Sequence, residues 1–153
     1  MFRILTLFLL VGIVACASED SDNTQYKSKI YNPNGDSELA LLMRDMFDDG
    51  MLVKQQVLKG ETPKIRSNYR NIHTAEATQP EKVATEEFKS FASAYVSSVD
   101  AFMASKPKDR AVAFQGMVTA CMQCHDHNCP GPKVKIRKLY LSETDMHALV
   151  QSE

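Results

Sequence analysis

The sequence predicts an all-α fold: an antiparallel, up-and-down four-helix bundle followed by a C-terminal extension. Three observations carry this. Four stretches between residues 36 and 127 place apolar residues at helical spacing. Pro63, Pro80 and Pro107 each stand near a helix start, where the missing N–H would be unpaired anyway. The connections they leave are short, which favours antiparallel neighbours, and no convincing period-2 run interrupts the region.

The first 15 residues do not belong to that fold. Met1-Phe2-Arg3 makes a short positive start, and Ile4 to Val14 is apolar except for Thr6 and Gly12. The run suits the apolar centre of a secretion signal and is too short to span a bilayer stably. It ends in Ile13-Val14-Ala15-Cys16, which resembles a bacterial lipobox. The resemblance implies cleavage before Cys16 and attachment of Cys16 to membrane lipid; a plain signal peptide cut near Ala15 or Ala17 is the alternative. Acylation at more than one position would anchor the chain stably. Residues 16–35 then read as a tether, polar and acidic over Ser18–Gln25. The expected location is the periplasmic side of a bacterial membrane. Ala17, rather than Asp, after the cysteine favours the outer membrane by a sorting rule of some Gram-negative bacteria. The acidic run also resembles surface-export signals of some lineages.

Within residues 36–127, the first helix is expected from about Asp36 to Lys59. Leu39, Leu42, Met43, Met46 and Phe47 form its stripe, continued by Leu52, Val53, Val57 and Leu58. Asp36 or Ser37 can cap it, Gly50 is a point where it can bend, and Gly60 fits the terminating position. A second helix is expected from Thr62-Pro63, with Ile65, Tyr69, Ile72 and His73 on one side. A third starts near Pro80 and runs through Phe88, Phe91, Ala92, Tyr95, Val96, Val99, Phe102 and Met103. The fourth starts at Ser105-Lys106-Pro107 and carries Val112, Phe114, Met117 and Val118 to Cys121. In the extension, residues 128–153, Cys129-Pro130-Gly131-Pro132 breaks the helix. Lys133–Lys138 alternates basic and apolar residues and reads as a solvated face, or as a docking patch for an acidic redox protein. Ser142 and Asp145 resemble a capping pair for a short last helix.

The fourth helix ends in Cys121-Met122-Gln123-Cys124-His125. C-x-x-C-H is the attachment signature of a c-type haem. On a helix the three side chains share one face: two thiols to add to two vinyl groups, and an imidazole left under the iron. One covalent haem c is therefore expected, bound by Cys121 and Cys124, with His125 as metal ligand. Its other ring nitrogen is expected on a carbonyl or water. A disulfide or a zinc site is the alternative, but His127 and Cys129 crowd the first pair more tightly than usual zinc spacing. A redox C-x-x-C would want a βαβ context.

With its haem motif late in the chain, the aromatic pattern from Phe88-Lys89 through Phe114-Gln115-Gly116-Met117, and Val57-Leu58-Lys59-Gly60 closing the first helix, residues 36–127 resemble the cytochrome c′ family and its Met/His-ligated four-helix relatives. The resemblance implies a distal residue from the first helix between Leu42 and Arg44. Met43 is the first choice as second metal ligand and Met46 the second; plain core packing is the alternative for both. The family commonly has a basic residue about four after the haem histidine. This chain has Asp126, His127, Asn128 and Cys129 there, so Lys133, Lys135 or Arg137 would supply the charge. Homodimers through the first two helices are an expectation by analogy.

A peroxidase-like site wants distal acid–base groups; around Leu39–Phe47 the only nearby candidates are Arg44, Asp45 and Asp48, the stripe itself is apolar, and no enzyme is expected. The net charge of −1 and pI of about 6.4 give no nucleic-acid footprint. Loss of residues 1–15 removes Arg3, leaving 17 basic against 19 acidic residues, a mature charge of −2. The expected function is one-electron transfer by an exported, lipid-anchored cytochrome. Binding of a diatomic gas (NO or CO) at a five-coordinate iron is the alternative, with Leu42 or Phe47 crowding the open side. His73, His127 and His147 read as surface histidines, and Cys129 as a half-buried thiol, an intermolecular disulfide or a minor metal ligand.

Overall fold

The computed structural model describes residues 35–151. The leader, Cys16 and most of the tether lie outside the described residues. The chain is all-α, with no strand among the described residues. Three long helices dominate: α1 (Glu38–Leu58), α3 (Glu86–Ala104) and α4 (Arg110–His127). Shorter ones are α2 (Pro80–Val83), α5 (Lys133–Ile136) and α6 (Glu143–Gln151).

Helix α1 starts at Ser37, whose hydroxyl accepts from the Ala40 N–H at 3.3 Å. Asp36 instead forms a two-pronged ion pair with Arg44. The helix runs through Gly50 unbroken. Gly50 is buried, and a Cβ there would stand 3.1 Å from Leu139 Cδ2, so this glycine admits a side chain from the C-terminal segment. At the far end Gly60 has φ 68°, Gly60 N–H donates to Val57 O and Glu61 N–H to Gln56 O. Those two bonds make a Schellman ending, in which only glycine takes the left-handed position without strain.

The expected second helix does not form. Residues 61–68 are non-helical, and only Tyr69–His73 make a 3-10 helix. The cause lies on α1. Asp49 is buried, and its Oδ2 accepts from the N–H groups of Arg66 (2.9 Å) and Ser67 (2.7 Å). Gln56 Oε1 takes the Lys64 N–H at 2.9 Å. Donors that would build a helical ladder are spent on side-chain acceptors. The segment runs back along α1: it leaves beside Gln56 and arrives where Leu39 N–H donates to Glu76 O at 2.9 Å. As a helix, residues 61–76 would cover only about 22 Å of the roughly 26 Å of α1 between Gln56 and Leu39. Partly extended, the segment spans it and still half-buries Ile65 and buries Ile72.

Pro80 opens only the four-residue α2. Thr85 then turns extended (ψ 146°) and its Oγ1 accepts from Phe88 N–H at 3.1 Å, starting α3. Helices α3 and α4, joined through a 3-10 turn at Pro107–Asp109, pack side by side as a hairpin. The centre of the core is Val53, Val99, Phe102, Phe114 and Val118, with Phe102 and Phe114 edge-to-face at 5.8 Å. Val112, expected on the buried stripe, is 59% exposed.

The extension is not a solvated appendage. Ile136, Leu139 and Leu141 are buried in the same core. Lys54 Nζ donates to the carbonyls of Lys138 (2.8 Å) and Tyr140 (2.6 Å). Gln115 Oε1 accepts from Leu141 N–H at 3.0 Å while its Nε2 donates to Leu141 O at 3.4 Å. The last helix opens as expected, with Ser142 and Asp145 exchanging side-chain-to-backbone bonds of 3.1 Å. No helix among the described residues is long and apolar enough to cross a membrane.

Candidate functional site

A cavity of about 820 Å³ lies between the first half of α1, residues 77–83, the start of α3 and the end of α4. The C-terminal segment contributes a further wall. Its volume is in the range of cofactor sites. On α1, helical spacing of four sets Leu39, Met43 and Phe47 along one wall. Val83, Phe88 and Ile136 add apolar surface from three further elements.

Cys124 and His125 reach the same cavity from the last turn of α4. His125 Nδ1 lies 2.8 Å from the carbonyl oxygen of Cys129. A carbonyl can only accept, so Nδ1 carries the proton and Nε2 is left as a lone-pair donor. The carbonyl is available because α4 ends at His127, beyond which the Asn128 N–H and Nδ2 both donate to Cys124 O. Burial raises the Cys124 thiol pKa above its ordinary value, opposed by Asn128 and aided by Cys129.

Cys121 does not line the cavity. It is half-buried one turn earlier and packs against the core beside the Tyr95 hydroxyl. Burial, with Cys124 second, pushes its thiol up to about 12. Burial likewise pushes the Tyr95 hydroxyl well above its ordinary range. The cavity, the imidazole tautomer, Cys124 and a thioether from α1 suit a haem; the second thioether requires the Cys121 sulfur to leave Tyr95 and turn along the helix face.

The two candidate methionines are separated. Met43 lines the cavity, whereas Met46 is buried in the core and does not. His127 is exposed, stacked on Phe91 at 5.0 Å and 3.3 Å from Glu87. His73 and His147 are exposed and off the cavity wall. Cys129 is exposed at the cavity edge. Among the described residues no three His, Cys, Asp or Glu side chains gather around a point, so a zinc site has no donor set there.

Of the basic residues expected nearby, Lys135 lines the cavity; Lys133 is paired with Asp126, and Arg137 is off the wall. That pairing holds the Asp126 carboxyl below its ordinary range. Lys82 and Lys138 line the cavity without having been expected. Lys138 lies in the run read as a solvated face, and Lys82 lies in the four-residue α2 with no spacing signal. The Cys129 carbonyl, as backbone, leaves no trace in residue type.

Comparison with protein-family models, curated proteins and solved structures finds no match for this chain.

Proposed function

We propose that this chain is an exported, lipid-anchored c-type cytochrome that carries one covalent haem c and transfers single electrons. The observation that carries the reading is the His125 imidazole, fixed at Nδ1 by the Cys129 carbonyl, at a cavity that Met43 also lines. When bound, the haem supplies a reversible ferric–ferrous couple. Cys121 and Cys124 would hold it by thioethers, and His125 and Met43 would be ligands to its iron. The Met43 thioether is soft and favours the ferrous state. Leu39, Phe47, Val83 and Phe88 would give the group apolar contact.

The architecture of this reading is a four-membered bundle in which residues 61–79 stand in for the second helix. Cys16 acylation would keep the carrier in two dimensions at the periplasmic side of a membrane, near a redox protein partner. Absorption spectra of the full chain, matured with haem, test the reading. A low-spin ferric form with a sulfur-to-iron charge-transfer band, lost in Met43→Ala and kept in Met46→Ala, is expected. Retention of the band in both variants would remove Met43 from the iron.

Diatomic-gas binding is the second reading, favoured by the apolar surroundings that Leu39 and Phe47 give to Met43. It requires an open iron position. A high-spin ferrous spectrum that shifts on adding CO selects it, and no response to CO rejects it.

A further inference from the structure

Charge is distributed unevenly around the cavity. Arg44 is engaged by the fully buried Asp36 carboxylate. Asp48 on α1 is the one carboxylate among the lining residues. Against it stand Lys82 from α2, Lys135 from α5 and Lys138 from the 3-10 turn that follows. Their backbones are fixed: Lys138 by its carbonyl's bond to Lys54 Nζ (2.8 Å), Lys135 by its N–H on Pro132 O (2.8 Å), and Lys82 by its N–H on Gln79 O (3.1 Å). The apolar wall and the lysines together describe a site for a flat apolar body that carries carboxylates.

We propose that Lys82, Lys135 and Lys138 receive the propionate carboxylates of the haem, so that the C-terminal extension sets the orientation and charge of the cofactor's polar edge. The inference rests on the haem reading above. It assigns the extension a role at the cofactor, and it explains why the segment is clamped at Lys54 and Gln115. The other ionisable groups on the wall are Asp48, His125, Cys124 and Cys129, with Arg44 already paired. An ammonium group within a few ångströms of a carboxylate lowers its pKa by one to several units. Deprotonation of a propionate stabilises ferric iron, so the reduction potential falls as pH rises through its pKa.

The test is the pH profile of the reduction potential of the full-length holoprotein, wild type against Lys82→Gln/Lys135→Gln/Lys138→Gln, with the three single variants alongside. In the triple variant the falling limb moves to higher pH by about one unit. Lys59→Gln and Lys108→Gln, exposed and off the cavity wall, leave it in place. The single variants, each retaining two lysines, keep the measurement available if the triple variant loses haem; each then shows a smaller shift of the same sign. An unchanged profile in haem-loaded variants overturns the assignment of the lysines and leaves the cytochrome reading standing. A wild-type chain that takes up no haem overturns both.

Discussion

At the scale of the residue, the two thiols of the motif, three residues apart on one helix, sit in different surroundings. Cys124 lines the cavity, while half-buried Cys121 packs against the core beside Tyr95. Its thiol has a pKa of about 12 in the folded chain against an ordinary 9.0. The raised value means the neutral thiol is favoured by folding. Its contribution is therefore complete below pH 9 and is lost as pH rises toward 12, at up to about 1.4 kcal/mol per pH unit. The haem-free chain should lose stability across that window in urea titrations, and Cys121→Ala should flatten the loss. The methionines differ by the same logic of surroundings. Met46→Ala opens a hole in the core and is expected to cost about 2–5 kcal/mol by chemical denaturation. Met43→Ala, at the cavity wall, should cost clearly less in the haem-free chain. The sequence names both methionines from one stripe. What separates them is the direction in which α1 faces α4 and the C-terminal segment, which no local spacing contains.

At the scale of the element, α1, α3, α4 and α6 were legible because their signals are local: caps at Ser37 and Ser142, a Schellman glycine at 60, and stripes of period 3.6, although α3 starts at Thr85 and not at the expected Pro80. The second helix misled for the complementary reason. Its apolar residues have helical spacing, but the carboxylate that captures Arg66 and Ser67 N–H groups comes from Asp49, 17 and 18 residues earlier. Asp49→Ala removes an acceptor from two partly buried donors and should destabilise the fold by about 2–4 kcal/mol. Hydrogen exchange should then accelerate at residues 64–68 before it does so in α3. Gly50 was read as a weak point in α1 and is instead the floor under Leu139. Gly50→Val would drive a branched side chain into Leu139, a clash worth about 1–3 kcal/mol, and loosen the segment around Tyr140 despite better helix propensity.

At the scale of the whole molecule, the Cys-x-x-Cys-His run was legible and the cavity beside its end was not. C-x-x-C-H is written in five consecutive residues, whereas the cavity draws its wall from α1, residues 77–83, α3, α4 and the C-terminal segment. The extension shows the cost of reading charge alone. Lys133–Lys138 looks solvated, yet Ile136 between those lysines is buried, as are Leu139 and Leu141 beyond them. It follows that a chain ending at Asn128 would lose three core residues, the carbonyl on His125 and one side of the cavity. Such a truncation should fail to give a cooperative thermal transition, where the full chain gives one.

The central claim is the covalent haem on Cys121 and Cys124, and intact mass under denaturing conditions addresses it most directly. The chain should be produced with its leader in a bacterium that has haem-attachment machinery. The account predicts the processed, acylated chain plus one haem that survives unfolding and acid–solvent extraction; replacing both cysteines by Ala should abolish it. A wild-type chain at the haem-free mass, or a haem released by extraction, would contradict it.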